Sequence, residues 1–107
     1  MTWRVEFLDD RVADEISALP ADMQARFLRI VELIEAVGLP AVGAPHIKHL
    51  EGKLWEMRMK GRDGIARAIY VTAAGKRVVV LHGFVKKTQK TPKRALDIAH
   101  ERAKDVT

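Results

Sequence analysis

An α+β fold with the element order β-αα-βββ-α is what this 107-residue chain predicts: a small, mostly antiparallel twisted sheet with helices packed on one face. Three observations carry that expectation. An alternating apolar segment opens the chain. Two stretches with apolar residues every three or four positions follow it. Three consecutive alternating segments, separated by glycine-containing turns, then precede a last helical stretch.

In residues 3–8, WRVEFL, the alternation of Trp3, Val5 and Phe7 with Arg4 and Glu6 predicts a strand. Asp9 and Asp10 offer N-caps for a short helix with Val12, Ile16 and Leu19 on one side, ended by Pro20. Asp22 is placed to cap a longer helix. There Met23, Phe27, Ile30, Val31, Ile34 and Val37 recur at helical spacing, and Gly38 with Pro40 supplies the stop. These apolar stripes are read as core.

The rest reads as a three-stranded meander and a closing helix. Residues 53–60, KLWEMRMK, alternate Trp55, Met57 and Met59 with Leu54, Glu56, Arg58 and Lys60. A turn over 61–64 leads to a strand over 65–72, and a turn over 73–76 leads to a strand over 77–85. Thr91 and Pro92 read as the N-cap and first position of the last helix, in which Leu96, Ala99 and Ala103 give a small apolar side. His46 and His49 are left in a loop before the sheet. One domain spans 1–107, with no repeat, low-complexity tract or linker.

Composition removes several function classes. The chain has no cysteine, so disulfides and thiolate metal sites are excluded, which suits a reducing cytosol. The first ten residues are acidic and lack an apolar leader core, and no apolar run approaches the roughly eighteen residues of a membrane span. A soluble, cytoplasmic protein with no membrane partner is the expectation. No pair of histidines or carboxylates has ligand spacing on one element, so neither metal nor cofactor is expected. Ser17 is the only serine and falls in a helix, which disfavours serine catalysis.

Charge is sharply divided. Residues 1–41 carry four Lys or Arg against eight acids, a net of −4. Residues 42–94 carry thirteen against three, a net of +10. Such segregation is either a solubilising surface or the footprint of a polyanion.

Register arithmetic sharpens the second reading. A two-residue turn between Gly61 and Gly64 puts Arg58 opposite Arg67, Trp55 opposite Tyr70 and Met57 opposite Ala68. A two-residue turn at Ala74 and Gly75 then puts His82 on the other side of Arg67. The rung Arg58–Arg67–His82 places like charges side by side, a cost of up to about 1 kcal/mol unless an anion compensates. Either Glu56 or Glu51 neutralises one arginine, or a longer turn dissolves the rung, or the rung grips phosphate. Close behind come Lys86, Lys87, Lys90, Lys93 and Arg94, the last two in a first helical turn where the dipole repels cations.

Residues 50–102, with LWEMR, the arginine of the following strand and LHGFVKKTQKTP ahead of the last helix, resemble the RelE/ParE toxin superfamily. The likeness is to its HigB-like, phage-derived branch. It implies the toxin of a type II toxin–antitoxin pair: a metal-independent endoribonuclease that cuts messenger RNA in the ribosomal A site and so inhibits translation. Cleavage there is attack of a 2′-hydroxyl on the adjacent phosphate. By position, Arg58, Arg67 and the pair Lys86 and Lys87 match the family's basic residues; Arg58, Arg67 and Lys87 are expected as catalytic cations, and Lys86, with the further cations Lys60, Lys90, Lys93 and Arg94, as binding RNA. His82, the one histidine of the rung, is a candidate proton carrier, although a lone histidine near a strand end is more often structural.

The implied partners are the ribosome, messenger RNA and a HigA-like antitoxin with a helix-turn-helix domain, through which alone the toxin meets DNA. Two departures stand out. RelE relatives place a tyrosine near the C-terminus, whereas Tyr70 falls on the core face here, and they carry a lysine where this chain has Glu56. A ParE-like gyrase poison and a non-catalytic nucleic-acid-binding phage accessory protein remain as alternatives, since fold alone does not separate them.

Overall fold

A computed structural model of the chain describes residues 2–86 and 90–107. Strand β1 (Arg4–Phe7) leads into helices α1 (Asp10–Ser17) and α2 (Ala21–Val37), then a single 3-10 turn at Leu39–Ala41. Strands β2 (Ile47–Glu51), β3 (Leu54–Gly61), β4 (Gly64–Ala73) and β5 (Arg77–Lys86) follow, and α3 (Lys93–Ala103) closes the order. The five strands form one sheet in the order β1-β5-β4-β3-β2. Only β1 against β5 is parallel. Among the described residues no helix is long and apolar enough to cross a membrane.

The α+β class and mostly antiparallel sheet are as expected; three details differ. The first is β2, which turns the loop expected at His49 into an edge strand paired with β3. Its sequence, IKHLE, lacks apolar alternation, as suits a short edge that meets water and carries a bulge between His49 and Glu51.

The second is the placing of the helices. Those of the N-terminal half cover one face, where Val12, Ile16, Met23, Phe27, Ile30 and Ile34 bury Met57, Met59, Ala66, Ala68, Tyr70, Val78 and Val80. Helix α3 lies on the opposite face, setting Ala95 and Ala99 against Leu54, Ile69, Val71, Val79 and Leu81. Strands β4 and β5 are apolar at successive residues as well as alternate ones, which is the signature of a strand buried on both faces.

The third is register. The β3–β4 hairpin pairs Arg58 with Arg67, Trp55 with Tyr70 and Met57 with Ala68, as the two-residue turn requires. The next hairpin is longer by one residue, because Gly75 (φ 84°) and Lys76 (φ 56°) both take the left-handed conformation and Ala73 pairs with Arg77. A bulge then falls between the pairs Tyr70–Val80 and Ile69–His82. Phe84, not His82, therefore faces Arg67.

Two expected caps also do other work. Asp9 caps α1, accepting from the Arg11 amide at 3.0 Å. Helix α2, however, starts after Pro20 without a side-chain cap, and Asp22 accepts from the Arg62 amide at 2.6 Å, holding the β3–β4 turn. Helix α3 likewise starts after Pro92 without a side-chain cap, so Thr91 is not its N-cap.

Strand β1 stops at the Phe7–Val80 pair, and beyond it α1 lies directly on β5. Gly83 permits that approach, since a Cβ there would sit 2.5 Å from Ile16 Cδ1. Glu15 of α1 seals the strand edge: its Oε1 accepts from the Gly83 amide at 3.1 Å, from Arg102 Nη1 at 2.9 Å, and lies 2.9 Å from His82 Nδ1. Arg102 also donates to the Leu81 carbonyl at 2.8 Å. One carboxylate thus joins α1, β5 and α3.

Burial pushes the Glu15 carboxyl up, but its bonds to Arg102, His82 and the Gly83 amide outweigh that and hold it below its ordinary 4.5. A carboxylate whose pKa is depressed by folding stabilises fully above its unfolded value and loses that contribution as pH falls through the folded one. Denaturation midpoints should therefore drop below about pH 4.5. The Glu15→Gln protein should be less stable at neutral pH and show a shallower acid loss. Parallel pH profiles for the two proteins would contradict this role.

Candidate functional site

On the face that carries α3, the pairing builds three successive rungs. The first runs Lys48, Glu56, Ile69, His82; the second Arg58, Arg67, Phe84; the third Lys60, Ile65, Lys86. Helix α3 covers the apolar half of this face, and cations dominate the half beyond its N-terminus. His46 adjoins the second rung, its carbonyl accepting from the Arg58 amide at 2.8 Å.

The two arginines of that rung part company. Arg67 is 1% exposed, and so is Glu56, whose Oε1 accepts from Arg67 Nη1 at 2.8 Å. The other oxygen, Oε2, accepts from the Thr91 hydroxyl at 3.1 Å. Burial lowers the pKa of the Arg67 guanidinium, a shift that Glu56 opposes and Arg58 reinforces. Among the described residues Arg67 Nε has no hydrogen-bond partner. Arg67 was expected as an exposed phosphate ligand; it is instead the cationic half of a buried ion pair, because the acid two residues before Arg58 lies on the same face. Glu56 neutralises one member of the rung, as one of the sequence readings allowed.

Arg58 is half-buried and opens into a cleft of about 290 Å³ lined by Arg26, Pro45, His46, Arg58, Lys60 and Ile65. On the other side of β4 Lys86, 5% exposed, ends β5. Burial lowers its ammonium pKa, Arg67 adds to that, Glu56 opposes it, and Lys48 and Arg58 contribute further repulsion. A lysine so placed holds its proton less firmly than one in water.

The expected site residues thus divide. Arg58, Lys60, Lys86 and Arg67 share one face, on which Lys60 is exposed, Arg58 half-buried, and Lys86 and Arg67 buried. Lys90, Lys93 and Arg94 are exposed at the head of α3, where Lys93 turns to Asp97 at 3.4 Å, so an acid of its own helix relieves part of the repulsion. Lys87 lies outside the described residues. His82 leaves the rung: it is bound to Glu15 and stacked on Phe84 with ring centroids 5.1 Å apart. The bulge that displaces it has no signal in a run such as VVVLHGF.

Arg26 escaped the sequence reading. It lies in the acidic half of the chain, one helical turn beyond Asp22, and reaches the cleft because Asp22 fastens that helix to the β3–β4 turn. Tyr70 is in the core as expected, where burial raises its hydroxyl pKa.

Residues 14–104 match the family described as phage derived protein Gp49-like. Among solved structures the fold is similar to a chain of the archaeal RelE–RelB complex from Pyrococcus horikoshii OT3. The two are 24% identical, with a TM-score of 0.61, over 81% of this chain and 98% of that one. No curated protein matches the chain.

Removing one partner of a buried ion pair strands the other charge in a low dielectric and costs about 3–5 kcal/mol, whereas replacing both by apolar residues of similar size is often near neutral. Arg67→Ala and Glu56→Ala should each destabilise by that order in urea denaturation. The double variant Arg67→Met, Glu56→Met should recover most of the loss. An Arg67→Ala protein within about 0.5 kcal/mol of native, the range of an ordinary surface change, would contradict the buried pair.

Proposed function

The chain belongs to the phage-derived Gp49-like family and has a RelE-like fold, and on that premise we propose that it is the toxin of a type II toxin–antitoxin pair, a ribosome-dependent endoribonuclease that cleaves messenger RNA. The observation that supports this best is a group of cations on one sheet face: Arg58 and Lys60 on β3, the buried Lys86 across β4 on β5, and His46 and Arg26 at the cleft beside Arg58.

Attack of a 2′-hydroxyl on the neighbouring phosphorus needs a base for the hydroxyl proton, an acid for the departing 5′-oxygen and cations for the charge that builds on the phosphorane. Arg58 supplies a planar fork that two phosphate oxygens can share. Lys60 and Lys86 add charge on either side. Arginine is a poor proton carrier, since its pKa stays above about 12. The two side chains suited to moving protons are Lys86, whose ammonium pKa is lowered by burial and by Arg67, and the imidazole of His46 at the cleft wall. Arg67 and His82 serve as supports in this reading, the first under Arg58 and the second through Glu15.

An antitoxin of the helix-turn-helix, HigA-like kind would silence such a protein by covering the same cations or by blocking its entry to the ribosome. Like-charge crowding of Arg58, Lys60 and Lys86 makes an acidic segment a natural occupant. The site of action is then the cytoplasm, where ribosomes are.

Induction of the native protein should arrest growth and leave new messenger 5′ ends within codons, in frame. Arg58→Ala should abolish both while the melting temperature stays near native, and Arg58→Lys should recover little, since a point charge lacks the fork. Undiminished arrest in a well-expressed Arg58→Ala strain overturns the site. DNA breaks without messenger cuts would indicate a gyrase poison, and neither would indicate binding alone.

A further inference from the structure

Thr91 stands immediately before Pro92, in the place where a threonine ordinarily caps a helix. Here α3 has no side-chain cap, and the hydroxyl crosses instead to Glu56, thirty-five residues away, in a bond with both partners buried. A local hydrogen bond has been exchanged for a distant one. Its other end is the acid that neutralises Arg67, two residues from Arg58 on the same strand face.

What that bond holds is cationic. Thr91 is 8% exposed, while its neighbours Lys90, Lys93 and Arg94 face solvent, and the first turn of α3 contains no acid. The dipole of α3 repels cations there, and in that turn only Lys93 has an acid of its own helix, Asp97, at 3.4 Å among the described contacts. The tie to Glu56 fixes the residue just ahead of α3 to the third strand in spite of that repulsion.

Resting on the reading of the chain as an RNA-cutting toxin, we infer that Thr91 and Glu56 are positioning residues whose hydrogen bond holds the cations at the head of α3 beside the Arg58 face, so that one RNA backbone meets both at once. Neither touches RNA. Glu56 has a double task, since one oxygen keeps Arg67 neutralised beneath Arg58 and the other fixes the approach of α3.

The salt dependence of binding tests this, because its slope counts the phosphates neutralised by the protein and a change in stability does not alter it. Binding of a short single-stranded oligoribonucleotide, and separately of inorganic polyphosphate, would be followed over a range of salt concentrations. Thr91→Val should flatten the plot of log affinity against log salt by about 0.7 for each phosphate that the cations of α3 no longer reach. Thr91→Ser, which keeps the hydroxyl, should retain the native slope. If Thr91→Val folds poorly, the exposed pair Lys93→Gln, Arg94→Gln gives the same reading: it should flatten the slope in the native background. Wherever Thr91→Val does fold, adding it to that pair should bring little further change.

A native slope in a folded Thr91→Val protein overturns the inference, and so does a native slope in the double glutamine variant. Binding of polyphosphate with a Thr91-dependent slope, but no binding of RNA, leaves the positioning role standing and sinks the RNA reading.

Discussion

A guanidinium and a carboxylate, each 1% exposed and 2.8 Å apart, sit inside a domain whose core is otherwise nearly all apolar. Taking two such charges out of water costs several kcal/mol each after relaxation, and their mutual attraction offsets this only with good geometry and further hydrogen bonds. Glu56 has those further bonds, through Thr91, but Arg67 Nε does not, among the described residues. As a stabilising device the pair is inefficient. Its consequence for the sheet surface is clearer: it keeps a cation beneath Arg58 without leaving two bare arginines in one rung, and it ties the start of α3 to the third strand.

In the proposed reading the surface around that pair receives an anion that is not part of the fold. Arg58, Lys60 and Lys86 occupy two neighbouring rungs, and burial, with Arg67 next, lowers the Lys86 pKa. Repulsion of this kind is relieved by binding a polyanion, so affinity and the instability of the free site have a common source. The sheet edge beyond the end of β1 shows the contrary design. There Glu15 meets Arg102, His82 and the Gly83 amide in a compact network that satisfies its members locally.

Much of this was legible in residue patterns, and what was not failed for identifiable reasons. Among the described residues alternation and helical spacing located each α-helix and each strand except β2, whose IKHLE has no apolar period because an edge strand has little to bury. The Arg58–Arg67 pair followed from the glycines flanking a two-residue turn. The same arithmetic misplaced His82, because a second left-handed residue at Lys76 and a bulge near Tyr70 each shift the register, and neither is dictated by composition. Exposure was the harder matter. Arg67 and Arg58 are equivalent in a strand pattern, and only the acid on the neighbouring strand, together with a threonine from the chain's last third, decides which of them is buried. Arg26 was invisible for a similar reason, since its place at the cleft depends on a contact between α2 and a distant turn.

The division between a buried, supporting arginine and an open, anion-facing one is accessible to direct observation. Nitrogen-15 NMR of the arginine side chains would report each Nε–H separately, before and after addition of a short oligoribonucleotide. The Arg67 Nε–H should exchange slowly with water and keep its shift on binding, while that of Arg58 exchanges fast when free and moves as RNA is added. An Arg67 resonance that exchanges freely and responds to RNA, beside an indifferent Arg58, would contradict the assignment of support to one and grip to the other.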